Sequence, residues 1–554
     1  MVDWGGHPRV KLENEKAIAG FRASVKMAQD LGIQYNAGIG MLTEFLGMIK
    51  SCPEHEKAIC RNIDGMIITV PWLWDHKVDG ELGKAYWFCS NSQLYQKYLR
   101  QLTELAMTCE PDGYHIDDFG GTAASHWMGG CFCETCMPLF REYLRENVTP
   151  EKLSEIGVEK LDDFDYRKFL LAGHVKDNDE FLKKRNSLPL YKEFTEFQAK
   201  AAGEVVRQLQ EYAVKLRGKP LARSVNGAVP NQQAFVVMPH IDHYSCEIGM
   251  NAPGKKFTSW SAFTYKCGDM VKRGIAGTAS GQDWAYVIEH KAKNLVRCWI
   301  AESYASGHCF MAPSKHQWAY TEKKGSHWYE AKPEDYADLY QFVRKNAALF
   351  DGYEPVAKVG VLFSHSAWRK FKKDSCSAAS TLLDANVPFA LVGAGDELLD
   401  VRLNAADLAK YDKIVAPAEP MLDPAQKKAL DDLPADKKVV WKDAASLLKE
   451  IKPRIVVEGA GNIRVLPRMV PGRADSPLVV HVLNRNYDYE KELMIAQNNL
   501  TLRIPSDLLG GRKFSKCTAF TPDGPAVTLA VETVADGIQV KLARLKLWTV
   551  LKLE

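Results

Sequence analysis

Short apolar runs alternate along the chain with longer stretches whose apolar positions recur every three to four residues, and the alternation persists to about residue 345. The strand-like runs are 2-VDWG, 33-IQYNAGIG, 113-GYHIDDF, 221-LARSVNG, 242-DHYSCEIG, 274-GIAGTAS and 307-GHCFMAP. Amphipathic helical stretches fall between them, among them 15-EKAIAGFRASVKMAQDL, 92-SQLYQKYLRQLTELAMT, 192-KEFTEFQAKAAGEVVRQLQEYAVKL and 288-IEHKAKNLVRCWIAESYAS. This order predicts βα units around a parallel sheet, a (β/α)8-type TIM barrel over residues 1–350. Seven strands are one short of eight, so the opening βα unit is expected to be missing or one strand is still to be found. A second alternating block, with 358-KVGVLFS, 387-VPFALVG, 413-KIVAPA and 438-KVVWKD, predicts a small doubly wound domain over 355–453. Beyond it, 478-LVVHVLNRNYD, 498-NNLTLRIP, 526-AVTLAVET and 537-GIQVKLARLKLWTVLKLE alternate with turn signals, which predicts a C-terminal antiparallel β domain over 454–554.

Composition narrows the class. Of 554 residues, 25% are charged and 46% hydrophobic, the mix of a globular protein. A net charge of +3, with no basic block interleaved with aromatics, argues against a nucleic-acid partner. There is no run of about eighteen apolar residues, so no membrane partner is expected. MVDWGGHPRV lacks an apolar signal core, so the chain as given reads as cytoplasmic; loss of an opening unit together with a signal peptide would make it secreted or periplasmic. Thirteen cysteines, an odd and scattered set, suit reduced thiols.

Two groups of residues carry candidate chemistry. Cys131, Cys133 and Cys136 stand within six residues, and thiols this close are redox groups or metal ligands. Tetrahedral zinc needs four ligands, and the best fourth is Cys89 in 87-WFCSNSQLY. Such a site would be closed and structural, pinning the long loop before 137-MPLFREYLRE. Asp117 and Asp118 end a strand, and acids at the C-terminal end of a barrel strand face the catalytic mouth. Neighbours on a strand point to opposite sides, so one of the two faces the pocket and the other braces it. Glu247, ending 242-DHYSCEIG, is the candidate second carboxylate for work on a glycosidic bond. Trp72, Trp74, Tyr244, Trp284 and Trp318 are candidate platforms for a sugar face, and His115, Asn226 and Lys315 complete the candidate substrate-binding set. HExxH, GxSxG and Walker patterns are absent, and no organic cofactor is expected.

The run WFCSNSQLY, a strand ending HIDDF and then CFCETCMPLFREYL resembles glycoside hydrolase family 42 β-galactosidases. In that family a cysteine before the fourth strand and a CxCxxC after it bind zinc. The resemblance therefore implies structural zinc at Cys89, Cys131, Cys133 and Cys136. It also implies a flavodoxin- or glutamine-amidotransferase-like middle domain and a homo-oligomer, dimer or trimer. It does not carry the catalytic pair across. Where that family reads Asp-Asn-Glu, this chain reads Asp117-Asp118-Phe119, and 274-GIAGTASGQDW holds no glutamate. The acids are more similar to the layout of barrel α-galactosidases and α-L-fucosidases, which place an aspartate nucleophile at the end of the fourth strand.

The expectation is thus a glycosidase, galactosidase- or fucosidase-like, that removes a terminal sugar from an oligosaccharide. Asp118 or Asp117 would act as nucleophile or base and Glu247 as general acid. The alternatives are a degenerate barrel that binds carbohydrate without cleaving it, and a lyase using His115, Tyr244 or Lys315 as base.

Overall fold

The computed structural model describes residues 2–5, 15–41, 43–45, 53–70, 76–78, 81–83, 85–313, 316–320, 325–329, 331–452, 454–459, 461–473 and 475–554. They form two compact units, one of residues 1–227, 231–245 and 319–325, the other of 228–230, 246–318 and 326–554. All seven strands expected from the alternation form where it places them.

In the first unit β1 (Val2–Gly5), β2 (Tyr35–Gly40), β3 (Gly113–Asp117), β4 (Ala222–Val225) and the start of β5 (His243–Ile248) lie side by side in chain order, each parallel to its neighbour. Helices α1 (Glu15–Asp30), α2 (Gln93–Met107), α3 (Cys136–Asn147) and α4 (Tyr191–Arg217) run in the connections. Strand β2 is buried throughout and β3 everywhere except at Asp117, the near-continuous burial of a parallel strand covered on both faces. Helix α2 buries Tyr95, Leu99, Leu102, Thr103 and Ala106, a helical stripe that faces the sheet. Gly218, in the left-handed region at φ 64°, stops α4 and turns the chain toward β4.

The connection from β3 to β4 carries a helical insertion with its own aromatic core. Phe132, Phe140, Tyr166, Phe181 and Phe194 are buried together there, with Phe132 and Phe194 stacked at 5.0 Å. The four candidate metal-binding cysteines belong to the same core.

In the second unit β6 (Gly274–Ala279) pairs in parallel with β7 (Cys309–Phe310). Strands β8 (Val359–Ser364), β9 (Phe389–Ala394), β10 (Lys413–Ala416) and β11 (Lys438–Val440) form an all-parallel sheet in the order β9-β8-β10-β11, as a doubly wound domain requires. The C-terminal region is antiparallel: β12 (Ile463–Met469) and β13 (Leu478–Asn484) belong to a six-stranded sheet, β14 (Gln497–Pro505) and β15 (Gly537–Leu545) to a four-stranded one. Val465, Leu478 and Val480 of the first sheet bury against Leu500, Leu502 and Val540 of the second, giving one sandwich core. Among the described helices none is long and apolar enough to cross a membrane.

Candidate active site and thiol cluster

The alternation of β3 decides where its side chains point. The Tyr114 hydroxyl meets Thr103 Oγ1 of α2 at 2.6 Å, so Tyr114 and Ile116 face the helices. Gly113, His115 and Asp117 therefore line the opposite, inner face. His115 Nδ1 bonds Ser224 Oγ of β4 at 2.9 Å, both side chains fully buried. One step further along, Asn226 Nδ2 donates to Asp117 Oδ1 at 2.8 Å, and the Asp118 amide donates to the same oxygen at 2.8 Å. The Asp117 carbonyl accepts the Met41 amide at 2.9 Å. Asp117 and Asn226 are both half-buried, so the row of cross-strand pairs opens toward solvent at this carboxylate.

Asp118 leaves the strand in the left-handed region, φ 51°, and its carbonyl accepts the Gly121 amide at 3.0 Å. Asp and Asn tolerate this conformation better than other non-glycine residues. Phe119 is 7% exposed and turns its ring onto the backbone of Gly227. A Cβ at Gly227 would stand 2.7 Å from that ring, so this phenylalanine requires a glycine after β4.

The other candidate site residues divide. Tyr244 is fully buried and its hydroxyl donates to the Ala234 carbonyl at 2.7 Å. Trp284 is fully buried in the second unit, edge-on to Trp299 at 6.1 Å. Neither ring offers a face to a sugar as it stands, because a stacking platform needs an open face. Glu247 is on β5 in the second unit and exposed. Trp72, Trp74 and Lys315 lie outside the described residues, as does the side chain of Trp318.

Cys89, Cys131, Cys133 and Cys136 are all buried, with their sulfurs within 4.8 Å of one another. Cys89 Sγ is 3.5 Å from Cys136 Sγ and 3.6 Å from Cys133 Sγ. Four thiolates around zinc at about 2.3 Å would stand about 3.8 Å apart. Spacing and donor type therefore fit a tetrahedral metal ion. Thiol donors, Cys131 first, push Cys133 well below the usual thiol range. Cys89 and Cys136, hydrogen-bonded to neighbouring thiols, and Cys131, through burial, are pushed well above it. Four thiolates packed this closely in a buried site would need a cation.

Sequence reasoning missed the residues that join the two groups. Directly after Cys89, Ser90 Oγ bonds Thr122 Oγ1 at 2.8 Å and accepts the Thr122 amide at 3.0 Å. Asn91 Nδ2 donates to Cys136 Sγ at 3.3 Å and to Gln198 Oε1 at 3.2 Å, and Gln198 Nε2 reaches the Cys131 carbonyl at 3.4 Å. Three consecutive residues therefore supply a thiol, a clamp on the loop after the acids and a hydrogen bond to a second thiol. The signal available in advance was the run of small polar residues in Cys89-Ser90-Asn91-Ser92.

The fold and site define a mixed α/β protein with a parallel-sheet core, carboxylates at a strand end and a buried thiol cluster beside them. No protein-family model matches the chain. Over 99% of its length the chain is 22% identical to the α-agarases of Thalassotalea agarivorans and Alteromonas agarilytica. It spans about two fifths of the length of these curated relatives, 38% and 39%. Among solved structures, α-L-fucosidase isoenzyme 2 from Paenibacillus thiaminolyticus superposes over 97% of this chain and 89% of its own, with a TM-score of 0.61 at 12% identity. That likeness shows a shared fold.

Proposed function

We propose that this chain is a glycoside hydrolase of the (β/α)8-barrel type, acting on agar or a closely related galactan. Asp117 or Asp118 and Glu247 are its carboxylate pair. The observation that carries the reading is the Asp117 carboxylate, set on the inner face at the end of a parallel strand with Oδ1 held by two N–H donors. Fixing one oxygen orients the group before substrate arrives, which is what a nucleophile or base needs. Asp118, one residue on, is the alternative candidate for that role. Likeness to two α-agarases over nearly the whole chain supports the substrate class. The four buried thiols would hold a structural zinc ion, which would tie down the loop after the acids.

The test is reducing-sugar release from agar and from a panel of aryl α- and β-glycosides. Asp117→Asn, Asp118→Asn and Glu247→Gln are compared with the unaltered chain, and proton NMR follows the first product. Loss of turnover in Glu247→Gln and in at least one aspartate variant, with the fold intact, is expected; full activity in all three would sink the proposal. Retention of configuration would correspond to carboxyl groups about 5 to 5.5 Å apart and inversion to about 6.5 to 9.5 Å. A second reading, carbohydrate binding without cleavage, draws on Phe119 in the place of the family-42 glutamate. It predicts calorimetric binding of agar oligosaccharides with no product from any substrate.

A further inference from the structure

Two buried cations in the second unit line one small cavity, and neither makes an ion pair among the described residues. Lys266 lies on α5 (Trp260–Val271) and is 9% exposed; Arg468 lies on β12 and is 5% exposed. Among the described residues Lys266 makes no hydrogen bond or ion pair, and its ammonium sits 5.4 Å from the centre of the Phe389 ring. Arg468 gives its two terminal nitrogens to the carbonyls of Ser306, at 2.7 Å, and Tyr353, at 2.6 Å, both neutral acceptors. Its buried Nε–H has no partner among the described residues. An unsatisfied buried donor is unfavourable, and an unpaired buried charge far more so.

Two carboxylates act on the pair, but neither bonds to either cation. The carboxylate that acts on both cations is Asp269, whose side chain is 26% exposed and faces His308 Nε2 at 3.4 Å. His308 accepts the Ile275 amide at Nδ1 and bonds the Tyr265 carbonyl through Nε2, the pattern of the neutral ring. Glu354, the other acid acting on Arg468, is exposed. Burial pushes Lys266 down to about 8, against the pull of Asp269, so it remains mostly protonated at neutral pH. Buried His481 is lowered to about 3 by burial and then by the Arg468 charge, an effect of the same positive field.

The cavity, about 20 Å³, is lined by Lys266, Arg468, Ser306, Asn386 and Phe389, among others. A space of this size has room for a water or a small ion. We propose that it is a binding site for a single monatomic anion of the chloride class, held by the Lys266 ammonium and the Arg468 Nε–H. The anion would supply the missing acceptor and a direct counter-charge, and would join α5 to a strand of the C-terminal sandwich.

Crystals of the full chain grown with sodium bromide replacing chloride test this directly. Diffraction at the bromine absorption edge should show an anomalous peak within contact of Lys266 Nζ and Arg468 Nε. Density for water alone at saturating bromide overturns the proposal. In solution, halide should raise the unfolding temperature above that in gluconate at equal ionic strength, since gluconate is too large to enter. Lys266→Met should fold, by circular dichroism, and lose that rise, while Lys266→Arg keeps it; an equal rise in Lys266→Met overturns the proposal. If Lys266→Met does not fold, the bromide peak in the unaltered chain decides.

Discussion

Replacing Ser90 by alanine separates the thiol cluster from the acid-bearing loop without touching a thiol or an acid. Ser90 Oγ bonds the amide and the hydroxyl of Thr122, and both residues are fully buried. In Ser90→Ala the Thr122 amide loses its acceptor in a site closed to water, a change that costs about 1 to 3 kcal/mol. Alanine offers no acceptor in its place, and the hydroxyl it removes is packed beside Gly121, whose added Cβ would lie 2.4 Å from Ser90 Oγ. Gly121 follows Asp118 by three residues, so slack here reaches the carboxylates. Urea unfolding should report a loss of about 2 kcal/mol, metal content should stay unchanged, and kcat on agar should fall more than KM moves. Stability within about 0.5 kcal/mol of the unaltered chain, the range of an ordinary surface change, would refute the clamp. Lowered stability with full kcat would show instead that the loop does not set the acids.

The thiol cluster should carry one zinc per chain by elemental analysis. Cys133→Ser or a strong chelator should remove it and expose the segment around residues 129–136 to protease; a chain that holds no metal when purified in zinc would refute the assignment. Gly227→Ala drives a Cβ to 2.7 Å from the Phe119 ring, and overpacking of this kind costs about 1 to 3 kcal/mol. Phe119→Leu in the same chain should recover part of the loss, and an additive double mutant would refute the contact. His481, whose Nδ1 accepts the Trp548 indole N–H at 3.3 Å, is lowered to about 3 by burial. Because its folded value lies below the unfolded value of about 6.5, its contribution is complete above that pH. As pH falls toward 3 the unfolded state takes up the proton first, removing up to about 1.4 kcal/mol per pH unit. His481→Gln should flatten the stability profile in that window, and an unchanged slope would refute the buried neutral ring.

Much of the architecture was legible in the sequence because it is written in local periodicity. A parallel strand buried on both faces reads as a short apolar run, and each of the seven stands within such a run. The thiol cluster was legible too, since three of its members sit within six residues and the fourth precedes the strand that leads to them. Adjacent acids at a strand end marked the candidate site, but not which acid lies on the inner face. That choice rests on Tyr114 reaching Thr103 of α2 and on the left-handed turn at Asp118.

Burial and partnership, by contrast, belong to the folded chain. Tyr244 and Trp284 sit near strand ends, as sugar platforms do, yet both are core, because burial depends on which distant segments cover a ring. Phe119 looked like a lost glutamate; it is a packed residue matched to a glycine more than a hundred positions away. Lys266 and Arg468 are unremarked in their own helix and strand, and only the packing of segments some two hundred residues apart places both charges on one cavity. The sequence by itself determined the order of strands and helices and the supply of thiols and acids, since those follow from residue type and spacing. The tertiary structure decided which groups are dry, paired or facing one another, because solvation and contact are set by chain segments that the local pattern cannot bring together.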